Sequence, residues 1–242
     1  MIVLGVDTST EFLSVALIDG KKALANYDAV GKLNHSALLV PTIKKSLTKA
    51  KKKIKDIALF SVGIGPGSFT GLRVGVTAMR GLAIALDKPI IGVPTMDAIA
   101  YNALGSDPDH RSLHNEGLTP KICPILDAKK SQVYACIYDV DGDKLVRKSD
   151  YLLEPVERLI KRLTGRVIFL GDGIPIYRDK LSAKKTLKAE FIDDKRWFPK
   201  ASVIVKLGLL MFNSGKHDDP YDLEPMYLYA RDCNVGVRPR PS

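Results

Sequence analysis

Val62-Gly63-Ile64-Gly65-Pro66-Gly67-Ser68-Phe69-Thr70-Gly71-Leu72-Arg73-Val74-Gly75 leads from an apolar, strand-like segment (57–63) through a glycine-rich turn into a helix. Glycines at 65, 67 and 71 admit backbone conformations closed to other residues, and Ser68 or Thr70 can cap the helix. Gly71, Gly75, Ala78 and Gly81 line one side of that helix with small residues, so another backbone can approach it closely. A strand, a glycine turn and a helix N-terminus also make an anion site. The spacing argues against a nucleotide loop. A dinucleotide fingerprint needs glycine where Thr70 stands, and a P-loop needs Lys and Ser/Thr where this chain has Leu72 and Arg73. The stretch reads as a structural helix start built for close packing.

Around it the chain divides in two. Residues 2–7 and 12–18 are apolar runs, and Asp19-Gly20 signals a hairpin into a third strand ending near Ala29. Leu39, Ile43, Leu47 and Ile54 recur at helical spacing after Asn34 or Ser36, which predicts an amphipathic helix over 35–53, with Pro41 kinking it or marking its first turn. The strand at 57–63, a helix over 70–86, a strand at 90–93 and a short helix capped by Thr95 or Asp97 complete a lobe over 1–103. Residues 104–120 are rich in turn formers and lack a period, so they read as an exposed linker.

A second lobe over 121–224 echoes the first. Val3-Leu4-Gly5-Val6-Asp7 is matched by Cys123-Pro124-Ile125-Leu126-Asp127, and each aspartate is followed by a polar turn, an apolar strand and a hairpin signal. Ser61-Val62-Gly63-Ile64-Gly65 is matched by Phe169-Leu170-Gly171-Asp172-Gly173. Duplication of a strand-hairpin-helix lobe accounts for this order. Helices near 155–163, 176–181 and 201–214 are expected to finish the second lobe, and 225–242 to form an extended, partly disordered tail.

The 242 residues suffice for two cores, and 37 Lys and Arg against 27 Asp and Glu leave a formal charge of +10. Part of that charge is concentrated at Lys44, Lys45, Lys49, Lys51, Lys52, Lys53 and Lys55. A solvated helix end accounts for these lysines, and non-specific attraction of nucleic acid is the alternative. No aromatic platform accompanies them, so tRNA binding by the chain alone should be weak. Cys123, Cys136 and Cys233 are scattered, which suits reduced thiols. The opening apolar run is too short for a signal peptide or a membrane span, so a cytoplasmic protein without membrane contact is expected.

Asp7-Thr8-Ser9-Thr10 and Asp127-Ala128-Lys129 stand at strand ends, as facing phosphate hairpins would in an actin-like ATPase. Asp7, Asp127, Gly171 and Gly173 are the candidate nucleotide residues. Lys129, Lys130, Ser131 and Gln132 replace the small residues an intact second hairpin would need, which argues against ATP hydrolysis, and a turn role for both aspartates competes with the nucleotide reading. His110 and His114 have helical ligand spacing but lie in the linker without a third ligand, and His35 has leucine at 39. No Gly-x-Ser-x-Gly elbow is present.

Leu4 to Ser9, His35 to Ile43, Gly65 to Gly75, Asp127 with Val133-Tyr134, Gly171-Asp172-Gly173 and Pro225-Met226-Tyr227-Leu228 together resemble the bacterial TsaB (YeaZ) family. The likeness covers both lobes in the same order, and the run from Gly65 to Arg73 is specific. It implies an actin-like (ASKHA, ribonuclease-H-like) duplicated two-lobe α/β fold and a role in forming N6-threonylcarbamoyladenosine (t6A) at position 37 of tRNAs reading codons that begin with A. It further implies a non-catalytic subunit with no cofactor of its own, ATP and a metal belonging to a catalytic paralogue, TsaD, and a small ATPase, TsaE. The paralogue's metal histidines fall here on Thr95 and Ile99, and neither can replace an imidazole ligand. Many members have arginine directly after the final Tyr-Leu, where this chain has Tyr229.

The family pairs with TsaD, or with itself, through the region of helices 35–53 and 70–86. Leu39, Ile43, Leu47, Gly71, Leu72, Gly75, Ala78 and Met79 are the expected interface, with Gly75 at the closest contact. Their alternative place is the lobe's own core. Two other classes stay open on sequence alone: an independent actin-like kinase or ATPase, and a nucleic-acid-binding module acting alone.

Overall fold

The computed structural model describes residues 1–30, 34–104, 119–142 and 144–228. Strands β1 (Ile2–Asp7), β2 (Phe12–Asp19) and β3 (Lys22–Val30) form an antiparallel meander, and β4 (Leu59–Gly65) and β5 (Ile90–Pro94) add in parallel to β1. The sheet order is β3-β2-β1-β4-β5. Helices α1 (His35–Lys49) and α2 (Phe69–Leu86) cover one face. Asn34 caps α1 through Ala37 N–H, and Ser68 caps α2 through Gly71 N–H. The helix expected over 35–53 stops at Lys49 and a short 3-10 turn follows (Ile54–Asp56). Pro41 lies inside α1, beyond its first turn.

The second sheet repeats the plan. β6 (Lys121–Asp127) pairs antiparallel with β7 (Gln132–Ala135) and, further back, with β8 (Tyr138–Asp141), which pairs with β9 (Lys144–Arg147). β10 (Leu152–Pro155) joins β7, and β11 (Gly165–Leu170) and β12 (Leu187–Phe191) add in parallel to β6, giving β10-β7-β6-β11-β12. Helices α4 (Val156–Arg162) and α5 (Ile174–Ser182) pack behind it. The two orders correspond strand for strand, as duplication requires.

Two helices cross the expected boundary. α3 (Thr95–Leu104) buries Met96, Ile99, Ala100 and Ala103 against Ile122, Leu126, Tyr138 and Leu170 of the second lobe. α6 (Ala201–Asn213), expected to finish the second lobe, lies on the first sheet, where Ile204, Val205 and Leu207 meet Val3, Leu59, Ile91 and Val93. Periodicity shows that a helix has an apolar face but not which sheet takes it. Gly5 and Gly208 admit the close approach: a Cβ on Gly5 would overlap Val205 Cγ2 and crowd the Ala201 carbonyl, and one on Gly208 would overlap Ser61 Oγ. Ser61 Oγ donates to the Ile204 carbonyl at 2.9 Å, and Ser14 Oγ accepts the Ala201 N–H at 2.7 Å.

The expected interface is largely interior. Leu39, Ile43, Leu47 and Met79 belong to the first core with Leu4, Val15 and Val62, and Leu72 is fully buried. Gly71 and Gly75 face the chain's own Thr8: a Cβ on either would overlap the Thr8 carbonyl or hydroxyl oxygen. Ala78 is half-buried at the edge of that core. The apolar period of α1 marks the face that meets the sheet, and the small residues of α2 make room for the β1–β2 turn.

The segment after α6 turns back along β5 as a strap. Asp218 N–H donates to Ile90 O at 3.0 Å, Gly92 N–H to Asp218 Oδ2 at 2.8 Å, and Met226 N–H to Ile64 O at 2.7 Å. Leu223 enters the first core. Pro225–Leu228, expected to begin an extended tail, are therefore the held end of this strap. Residues 229–242, including Cys233, and the linker histidines His110 and His114 lie outside the described residues.

Candidate functional site

A cleft of about 490 Å³ opens between the lobes, lined by the N-termini of α1 and α2, the β1–β2 turn and the β6–β7 turn. The two turns share one device. Asp7 Oδ1 accepts the Ser9 N–H at 2.8 Å and Asp127 Oδ1 accepts the Lys129 N–H at 3.0 Å, so each aspartate closes a turn onto the residue two places on.

Neither aspartate offers a free carboxylate to the cleft. Asp7 is fully buried and does not line it; Ser9 Oγ–H also donates to Oδ1 at 2.7 Å, while Oδ2 has no partner and presses on Gly63. Burial without compensation raises its pKa to about 7, against the lowering effect of the Ser9 bonds. Asp127 Oδ2 is held by Lys129 Nζ at 2.6 Å, so Lys129 engages both of its oxygens. That hydrogen bond and charge raise the Lys129 pKa. A metal-bound nucleotide does not fit this lining: one carboxylate is behind the wall and the other is neutralised.

Gly171 and Gly173 have a packing role. Gly171 has φ +117, and a Cβ there would overlap the Ile125 carbonyl, which also accepts the Gly173 N–H at 3.2 Å. Sequence reasoning missed Asp172 between them. Its Oδ1 accepts the Asp127 N–H at 2.9 Å, and burial lifts its pKa to about 6. It missed His35 as well, whose Nε2–H donates to the Thr10 carbonyl at 2.8 Å and ties α1 to the first turn. Thr95 and Ile99 serve the fold: Thr95 Oγ1 accepts the Gly65 N–H at 3.1 Å, and Ile99 is in the second core. Asp97 accepts Tyr138 and Tyr151 hydroxyls at 2.5 and 2.9 Å, joining α3 to the second lobe.

The second candidate is the outer face of α1 and α2. Leu38, Val40, Phe69 and Ile84 are exposed there, Val40 and Phe69 by more than half (51% and 54%). Between them α2 presents Thr77 and Gly81, with Val74 and Ala78 half-buried beside them. A Cβ on Gly81 would meet nothing within 4 Å. At one end of the ridge Arg73 lies over the Phe69 ring and its Nε–H donates to Tyr227 Oη at 3.1 Å; further along, Arg80 holds the carbonyls of Pro220 and Tyr221.

A family model described as TsaD, tRNA N6-adenosine threonylcarbamoyltransferase, matches residues 29–220. Over 97% of both chains this protein is 29% identical to the tRNA threonylcarbamoyladenosine biosynthesis protein TsaB of Bacillus subtilis (strain 168). To the protein of the same description in Escherichia coli (strain K12) it is 28% identical over 94% of both. The chain belongs to the TsaB (YeaZ) branch of this family. YeaZ from Pseudomonas aeruginosa has the same fold, with a TM-score of 0.74 at 24% identity over 94% of this chain and 99% of that one. The actin-like two-lobe architecture expected of the TsaB family is the one observed.

Proposed function

We propose that this TsaB-family chain takes part in t6A formation, at position 37 of tRNAs reading codons that begin with A, as the non-catalytic subunit that binds and stabilises a TsaD-related transferase. The outer face of α1 and α2 is the docking surface. In this reading the chain has no cofactor of its own, ATP and a metal belong to the partner subunits, a TsaE-like ATPase joins them, and tRNA is met through the assembly. The protein works in the cytoplasm and pairs with itself when the partner is absent.

The observation that carries the docking surface is Gly81. A glycine in a helix interior costs about 1 kcal/mol relative to alanine, and no neighbour in the chain requires it. Beside exposed Ile84 it leaves the ridge of α2 low, which suits a helix of another subunit approaching closely. The absence of catalysis is supported by the engaged Thr95, Ile99 and Lys129.

Gly81→Leu is expected to leave the fold intact, with a melting temperature at or above that of the parent, and to abolish a stable complex with the TsaD-related protein from the same cell on size-exclusion chromatography. A folded variant that still forms the complex would place docking elsewhere. Turnover of ATP by the purified chain, lost on Asp127→Ala, would instead support the independent ATPase.

A further inference from the structure

The outer face of α1 and α2 carries opposite charge on its two flanks. On one flank Lys44, Lys45 and Lys49 of α1 are exposed, followed by Lys51 and Lys53. On the other flank the strap exposes Asp219, Asp222 and Glu224. None of these eight side chains has an ion pair among the described residues. α1 packs on β2 and β3, and the strap on β5, so α2 lies between them on one face of the sheet.

The flanks are also level. α1 and α2 both start at the cleft. Lys44 to Lys49 stand roughly 14–21 Å along α1 from His35, at a rise of 1.5 Å per residue. Arg80, which holds the strap at Pro220 and Tyr221, stands roughly 17 Å along α2 from Phe69 on the same count.

We propose that the strap is the charge-selective half of a two-fold contact between two copies of this chain, in which Asp219, Asp222 and Glu224 of each copy face the α1 lysines of the other across their α2 ridges. Face-to-face packing admits a two-fold axis along α2 or across it. An axis along α2 exchanges the flanks and keeps every height, so carboxylate meets ammonium on both sides and the two α2 helices run parallel. An axis across α2 lays α1 on α1 and strap on strap, setting like charges against each other. Any occupant that matches this face must carry an acidic flank, a low apolar ridge and a basic flank in mirrored order, which a second copy possesses by symmetry. The inference rests on the docking reading above, because it uses the same ridge.

Two charge-reversed chains test it by sedimentation velocity, with melting temperatures confirming that each is folded: D219K/D222K/E224K and K44E/K45E/K49E. The parent is expected to dimerise and to do so about tenfold more weakly in 0.5 M salt, where exposed charges are screened. Each reversed chain alone should be monomeric, and an equimolar mixture should recover a dimer holding one of each. A dimer indifferent to salt and to both reversals, or a mixture that stays monomeric, overturns the pairing. A parent monomeric at every concentration overturns it too, whereas the docking reading falls only if Gly81→Leu still binds the TsaD-related protein.

Discussion

Gly75 and Gly81 stand on one helix fewer than two turns apart and lack a side chain for opposite reasons. Gly75 packs against Thr8 of its own lobe, and Gly81 faces open space. Gly75→Leu should therefore destabilise the lobe, by on the order of 3 kcal/mol in urea unfolding, because the added atoms must displace the β1–β2 turn. A folded and stable Gly75→Leu protein would show that the turn yields. Asp7 supplies the second prediction at this scale. Its pKa rises from an ordinary 3.8 to about 7 in the fold. The native chain therefore holds a proton that the unfolded chain has released above about pH 4, and the associated stability falls as pH rises through this window and is gone above about pH 7. Asp7→Asn cannot ionise, so the loss of stability between pH 5 and pH 8 should be smaller than in the parent, by on the order of 2 kcal/mol. Equal pH profiles for the two proteins would count against an uncompensated buried carboxyl.

The strap is the element whose role the sequence hides. Its residues have neither a helical nor an alternating period, yet Asp218 pairs with Ile90 and Gly92 on the edge strand, Leu223 fills the first core and Met226 bonds to Ile64. Ending the chain after Lys216 should cost on the order of 3 kcal/mol for the loss of Leu223. It should also promote aggregation, read by light scattering on heating, because the β5 edge loses its cover. A truncated chain as stable and soluble as the parent would reduce the strap to a surface segment. α2 needed the tertiary structure for another reason. By length and composition it could cross a membrane, but Leu72, Val76, Met79 and Ala83 are buried in the protein and only its outer side keeps apolar surface free. Its sequence shows that it is apolar all round, and contact with the sheet divides it into a core face and a docking face.

At the scale of the whole molecule the lobes are joined by exchange, α3 lying against the second sheet and α6 against the first. Residues 1–104 expressed alone should therefore fail to fold, since Val3, Leu59, Ile91 and Val93 would lose the cover of α6; a native-like near-ultraviolet spectrum from that fragment would refute this. Much of the plan was legible beforehand. The echo of Val3–Asp7 in Cys123–Asp127, the hairpin signals after each aspartate and the glycine turn into α2 are local matters of strand period, turn chemistry and helix capping, and they determined the duplicated strands, the two aspartate turns and the place of each helix along the chain. Partnership was not legible. Whether Leu39 meets a sheet or a subunit, whether Lys129 reaches Asp127, and which lobe receives α6 depend on surfaces brought together from distant parts of the chain. A period of apolar residues specifies that a face must be buried, and the packing of the whole chain decides what buries it.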